Sequence, residues 1–302
     1  MGKKISLLEH LAIGDSFGAP FEFKDKEFIN KNFNIDSYLN TIGTYTDDTQ
    51  MSIAIVEHLL DMRIFTLDSY ADYFLNQYHN DVNRNGFSKR TKALLKENYS
   101  DSNGLLIDSA MIIPRDSNGC VMRVLPIGLI KNIGKLKQAD LMQCVVTHPY
   151  LDCILASQTI SLFAHYLYYE IEYGLSDFMI QHIGKDNFDR VIKAWKEGDI
   201  VKCDALGTVS FCIFNVTSSL SMAKLLEASI KVGGDVDSTA ALCLGLASLR
   251  ENTIFDLPHN LYNNLENSKF GKNFLKSKDK ELQDNLSLIN NFIIDSTNFE
   301  KK

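Results

Sequence analysis

Two short acidic segments, far apart in the chain and each opening an apolar helix, constrain this sequence more than any other feature. The first is Thr46-Asp47-Asp48-Thr49, followed by Gln50-Met51-Ser52-Ile53-Ala54-Ile55-Val56-Glu57-His58-Leu59-Leu60, which reads as a helix. Adjacent carboxylates repel, so a fold that keeps them together needs a cation or a set of donors beside them. At a helix N-terminus, Asp47 and Asp48 would suit the dipole and could cap. Taken alone, the segment is open between capping and a site for a hard cation.

The second segment is Gly233-Gly234-Asp235-Val236-Asp237-Ser238-Thr239, followed by Ala240-Ala241-Leu242-Cys243-Leu244-Gly245-Leu246-Ala247. Gly233 and Gly234 permit backbone angles closed to other residues, and the Asp-x-Asp spacing lets an irregular loop aim both carboxylates at one point. Two hydroxyl-flanked carboxylate pairs, each leading into an apolar helix, are better explained by convergence on Mg²⁺ or Mn²⁺ than by two separate caps, because these ions take oxygen ligands.

At 302 residues the chain is long enough for a large core, and 45% hydrophobic with 23% charged residues is an ordinary globular balance. A net charge of -7 speaks against a general nucleic-acid surface. The six cysteines (Cys120, Cys144, Cys153, Cys203, Cys212, Cys243) form no Cys-x-x-Cys pair and sit mostly in apolar context, which predicts free, largely buried thiols. The N-terminal apolar run is interrupted too soon for a signal peptide, and no apolar stretch is long enough for a membrane span. A cytoplasmic protein without a membrane anchor is expected.

Helical patterning dominates and strand patterning is scarce, so an all-α fold is predicted. It forms a single domain over 1–302, with a core of about 5–250 and a C-terminal helical extension over 251–302. Leu7, Leu8, Leu11 and Ala12 share a helical face. Gly14 and Gly18, one turn apart, allow a close helix contact, and Pro20 ends or bends that helix. Glu22, between Phe21 and Phe23, is either a buried carboxylate with a raised pKa or a solvent-facing residue between two core aromatics. Residues 28–45 read as a long loop.

Further helices are expected at Gln50–Met62, Leu67–Tyr78, Phe87–Asn98, Leu175–Ile183, Phe188–Glu197 and Thr208–Ile230. A long helical stretch over Leu136–Gly174 should break at Thr147-His148-Pro149, and short polar helices should follow Asn252. Asn118-Gly119 is a turn signal leading into an apolar helix whose free N–H groups would suit a phosphate. Arg123 would face either a ligand or an internal carboxylate. His148, at a helix junction, points into a cleft or is satisfied by backbone.

Four stretches in this order resemble the ADP-ribosylglycohydrolase family: Gly14-Asp15…Gly18…Glu22, Thr46-Asp47-Asp48-Thr49, Asn118-Gly119…Met122-Arg123 and Gly233-Gly234-Asp235-Val236-Asp237-Ser238. The second and fourth together are the specific ones. The resemblance implies an all-helical fold with two Mg²⁺ or Mn²⁺ ions in a central cleft. Thr46, Asp47, Asp48, Asp235, Asp237 and Ser238 would be the ligands. Glu22, Asp47 and Asp48 would take part in catalysis, and Asn118, Gly119, Cys120, Met122, Arg123 and His148 would bind substrate. Ser238 stands where many relatives have threonine and keeps the hydroxyl. Ile113-Pro114-Arg115-Asp116-Ser117 stands where glycine-rich sequence is usual.

The activity implied is metal-dependent release of ADP-ribose from a modified protein side chain, arginine first, through an oxocarbenium-like state. The alternatives are serine-linked, nucleobase-linked or O-acetyl derivatives of ADP-ribose, a non-catalytic ADP-ribose-binding member of the fold, or a metal-dependent phosphohydrolase of a nucleotide diphosphate.

Overall fold

The run Leu7-Leu8-Glu9-His10-Leu11-Ala12-Ile13 offers no broad polar stripe, and helix α1 (Leu7–Gly18) is buried on every side in the computed structural model. Residues 4–97 and 116–295 are described. After α1 come α2 (Lys26–Asn32), α3 (Asp47–Leu60), α4 (Leu67–Asn80), α5 (Lys89–Glu97), α6 (Ile133–Val145) and α7 (Leu151–Tyr168). Then follow α8 (Leu175–Ile183), α9 (Lys185–Ile192), α10 (Ala205–Ser218), α11 (Met222–Lys231), α12 (Val236–Ser248), α13 (His259–Asn263) and α14 (Lys272–Asp295). No sheet forms among the described residues, only three isolated bridges. The all-α expectation holds, and no described helix is long and apolar enough to cross a membrane.

The spine of the molecule is α1 against α12, both wholly buried. Gly14 and Gly18 make that approach possible. A Cβ on Gly14 would lie 2.3 Å from the Ala240 carbonyl oxygen, and one on Gly18 would lie 2.4 Å from Asp237 Cα. Around the spine pack α3, α10, α11 and α14, while α7 joins α10 to the 3₁₀ turn Leu125–Leu129. All six cysteines are free, five of them buried and Cys203 exposed.

Four expectations about helices are corrected. Residues 28–45 are not one loop, because α2 forms inside it, with the Asp25 carboxylate capping Phe28 N–H at 2.7 Å. Thr208–Ile230 is two helices: the Thr217 and Ser218 hydroxyls bond back to the Ile213 and Phe214 carbonyls, and Ser221 caps a fresh start at Lys224 N–H. The tail is not a set of short polar helices. Short α13 starts after Pro258 as expected, but the 24-residue α14 buries Leu275, Leu282, Ile289 and Ile293 as a stripe. The helix expected at Phe188–Glu197 lies earlier, as α9, after Gly184 turns the chain at φ 84°.

Helix α14 also completes α1. Ser6 makes no side-chain cap, and the buried Asp279 carboxylate accepts Leu8 N–H at 2.9 Å and Glu9 N–H at 3.1 Å instead. Asp279→Ala strands those two amides and is expected to cost about 1–3 kcal/mol, read as a lowered urea midpoint. Asp279→Asn keeps one carbonyl acceptor without the buried charge and should cost less.

Candidate metal centre and its cleft

Residues of the first acidic segment are set in place by a carboxylate on another helix. Asp15 of α1, fully buried, accepts both the backbone N–H and the hydroxyl of Thr46, at 2.9 and 2.8 Å. It also accepts the N–H and hydroxyl of Thr49, at 3.0 and 2.6 Å. Asp15 is therefore the cap of α3. With those donors its lone pairs are taken. Asp47 and Asp48, in the first turn, are left free of the capping duty. The Thr46 hydroxyl spends its proton on Asp15 and keeps oxygen lone pairs for another partner.

The second segment arrives from α12. Gly233 and Gly234, at φ 77° and 91°, turn the chain, and Gly234 runs so close to the Val201 carbonyl that a Cβ would lie 1.9 Å from its oxygen. Asp235 is held by Asn118, whose side-chain amide donates to its Oδ2 at 2.7 Å and to the Thr208 hydroxyl at 3.1 Å. Glu22 comes from the end of α1, where Pro20 sits inside the 3₁₀ turn Ala19–Phe21. Phe21 is core, but Phe23, at 60% exposure and φ 51°, is not, so Glu22 does not lie between two buried rings.

Carboxylate oxygens of Asp15, Asp48 and Asp237 lie within 4.8 Å of one another, as do those of Glu22, Asp235 and Asp237. Asp237 belongs to both groups. Burial, with neighbouring carboxylates adding to it, holds Asp47, Asp48 and Asp237 well above the usual range and pushes Glu22 to about 7. None of the ion pairs among the described residues reaches these side chains. The Asp48 Oδ1 atom is buried without a hydrogen-bond partner among the described residues. Hard oxygen donors, a stranded carboxylate oxygen and uncompensated negative charge all fit Mg²⁺ or Mn²⁺.

Glu22, Asp47, Asp48, Asp235 and Asp237 line a cavity of about 390 Å³. Three cations line the same cavity, Lys89 and Arg90 from the start of α5 and Arg123 from the turn after Asn118. The buried Arg123 donates to the Gln143 side chain and carbonyl at 2.9 and 2.8 Å and to the Thr147 hydroxyl at 2.7 Å, and it stacks 4.0 Å over Phe74. It is neither paired with a carboxylate nor free to swing. His148, also at the wall, has both ring nitrogens engaged, by Ser117 at 2.9 Å and Thr147 at 2.7 Å, and burial lowers its pKa to about 3. Its neutral ring is held by side chains, not by backbone groups.

Of the residues singled out from sequence, Glu22, Asp47, Asp48, Asn118, Gly119, Met122, Arg123, His148, Asp235, Asp237 and Ser238 all line this cavity. Cys120 does not: its side chain is fully buried with Sγ on the Cys153 carbonyl. Nor does Asn118-Gly119 open a helix. The chain makes successive turns and then the 3₁₀ segment, and the Val121 and Met122 amides bond back to the Asn118 carbonyl, so no helix N-terminus faces a phosphate there. Residues 113–115 lie outside the described residues. Sequence reading left out Asp15, Lys89 and Arg90. Asp15 stood inside the Gly14-Asp15 motif, whereas Lys89 and Arg90 carried no signal beyond starting a polar helix.

The charge arrangement has a pH consequence. Glu22 is raised from its ordinary 4.5 to about 7, so its ionisation costs the metal-free fold stability progressively as pH rises through that window. A bound cation takes the ionised form. The rise in melting temperature on adding Mn²⁺ should therefore be larger at pH 8 than at pH 5, a comparison made by scanning calorimetry.

Fold and site together define an all-helical protein whose acidic centre, suited to hard cations, shares one cleft with Lys89, Arg90 and Arg123. The ADP-ribosylglycohydrolase family model matches residues 10–286, and the chain belongs to that family. An uncharacterized protein of Archaeoglobus fulgidus is 22% identical over 259 residues, covering 77% of this chain and 82% of its own. A solved structure titled "ADP-ribosylglycohydrolase-related protein complex" shares the fold, with a TM-score of 0.72 at 18% identity, over 92% of this chain and 96% of that one.

Proposed function

We propose that this protein is a divalent-metal-dependent hydrolase that releases ADP-ribose from a modified protein side chain, arginine first, by cutting the glycosidic bond at the anomeric carbon. The observation that carries this reading is the meeting of the Thr46–Asp48 and Asp235–Ser238 segments beside Glu22, in a cleft also lined by Lys89, Arg90 and Arg123. Thr46, Asp47, Asp48, Asp235, Asp237 and Ser238 would hold two Mg²⁺ or Mn²⁺ ions. Such ions supply a grip on the ribose hydroxyls and lower the pKa of a water.

The chain's own groups divide the rest of the work. Lys89, Arg90 and Arg123 meet the diphosphate, with Arg123 held rigid by Gln143 and Thr147. Met51, Phe74 and Phe87 give the cleft an apolar flank. Glu22 orients the attacking water and takes its proton on a carboxylate oxygen. Cations beside it lower its pKa and leave it ionised, the state a base requires.

The test is a release assay with Mg²⁺ or Mn²⁺ on an arginine-linked and a serine-linked ADP-ribosylated protein, with Asp47→Ala as control. Free ADP-ribose from one of them, lost in the variant, supports glycosidic cleavage and names the linkage. AMP with ribose phosphate would mean diphosphate cleavage instead. Binding of ADP-ribose without release from either substrate would make this a binding protein.

A further inference from the structure

A second cavity, of about 380 Å³, lies on the far side of Glu22. It meets the main cleft at Glu22 and Gly86, which line both. Gly86 is in the left-handed region at φ 103°, and a Cβ there would lie 1.8 Å from Asp47 Oδ1, so the side chain of Asp47 packs directly on its backbone where the two cavities meet. The mouth is exposed and carries Asn40, Thr44 and Asn85, and the interior is built from buried Ser16, Tyr38 and Tyr45.

The two cavities differ in charge. The main cleft has Lys89, Arg90 and Arg123, whereas among the described residues no lysine or arginine lines the second cavity, and Glu22 is its one titratable acid besides the tyrosines. Arg84 stacks 3.8 Å over Tyr45 but is paired with Asp81 and Glu266 and is not part of the lining. The hydroxyls of Tyr38 and Tyr45 are tied to the Leu261 and Phe270 carbonyls, at 2.9 Å each, so these residues offer the cavity ring surface. The Ser16 Oγ atom, on a side chain 2% exposed, has no hydrogen-bond partner among the described residues. A buried hydroxyl without a partner is costly unless something arrives to use it.

We propose that this second cavity is the acceptor subsite, seating the side chain from which ADP-ribose is released, with Ser16, Asn40, Thr44 and Asn85 setting which linkages are accepted. This rests on the hydrolase reading above. An ADP-ribosyl group carries its two negative charges on the diphosphate, which belongs with the three cations of the main cleft. The scissile bond then lies at the metal centre by Glu22, and the leaving side chain continues into the cation-free space beyond. A guanidinium fits there: its N–H donors meet hydroxyl and amide oxygens and Glu22, and its face meets tyrosine rings.

The experiment compares substrates that possess an acceptor with free ADP-ribose, which has none. Asn85→Trp and Thr44→Trp fill the exposed mouth, and Ser16→Ala removes the unpaired hydroxyl. The tryptophan variants should raise KM for an arginine-linked ADP-ribosyl peptide by about 10-fold or more while the Kd of free ADP-ribose, by calorimetry, stays put. Ser16→Ala should lower kcat/KM on that peptide by about 3–10-fold with no loss of thermal stability. Parallel loss of free ADP-ribose affinity would place the cavity in the ADP-ribose site and overturn the proposal, as would unchanged kinetics on both arginine- and serine-linked peptides. A wild-type protein that releases nothing from either linkage would instead fail the hydrolase reading itself, and the subsite with it.

Discussion

Asp48→Asn should reduce metal-dependent release of ADP-ribose by about 10³-fold or more and at the same time raise the melting temperature of the metal-free protein. The two effects come from one cause. Asp48 is buried, its Oδ1 has no partner, and Asp15, Asp47 and Asp235 add negative charge around it. Without a cation, a neutral amide of the same shape relieves that repulsion at little packing cost, and relief of about 1 kcal/mol corresponds to roughly 2–4 °C in a chain of this size. With Mn²⁺ present, wild type should gain stability while the variant gains little, because a donor of the ion is gone. Asp237→Asn should behave alike, since Asp237 belongs to both carboxylate groups. A purely structural cap would give the opposite sign: the metal-free protein would lose stability on substitution, and the response to Mn²⁺ would survive. Calorimetric scans with and without Mn²⁺ separate the two outcomes.

Gly18→Ala should be destabilising by about 1–3 kcal/mol and should abolish most activity, although alanine is the better helix former by nearly 1 kcal/mol. The added Cβ would lie 2.4 Å from Asp237 Cα and 2.7 Å from both Asp237 N and the Val236 carbonyl oxygen. All three are backbone atoms of a buried helix start and cannot swing aside as a long side chain would. Helix α12 must shift, and Asp237 shifts with it. Gly14→Ala, one turn away, meets the Ala240 carbonyl at 2.3 Å and should cost similar stability. Because Ala240 lies a turn beyond Asp237, its effect on Mn²⁺ affinity should be smaller. Urea unfolding gives the stability of each variant and Mn²⁺ titration gives the affinity. Equal affinity in both variants would mean that the glycine contact is packing alone, without a role in placing the carboxylate.

What the sequence determined by itself is local. The apolar run after Asp237 marked α12 as buried, Leu7, Leu8, Leu11 and Ala12 marked one apolar face of α1, and Gly14 with Gly18 marked a close crossing. The two carboxylate pairs marked helix starts that no ordinary cap explains, and their meeting beside Glu22 is the arrangement the structure shows. The turn at Asn118-Gly119 was legible too, and most of its residues do line the cleft. These features rest on spacing and on chemistry within a few residues, which a linear reading contains.

What only the tertiary structure decided depends on partners distant in the chain. Asp15 reads as one polar residue between glycine and serine, and its work as the cap of α3 exists only because α1 lies beside residues 46–49. Phe23 reads as a core aromatic, but a left-handed turn and the bond from its N–H to the Gly234 carbonyl send it to solvent. Residues 272–295 read as polar, yet one stripe of that segment finds α1 and α3 and becomes the longest helix described. Lys89-Arg90 and Arg123 come from two separate segments, and only the packed helices bring them to one cleft. The second cavity has no motif at all. It is the space left between the end of α1, the 38–46 segment and Asn85-Gly86, and empty volume is a property of packing that no run of residues encodes.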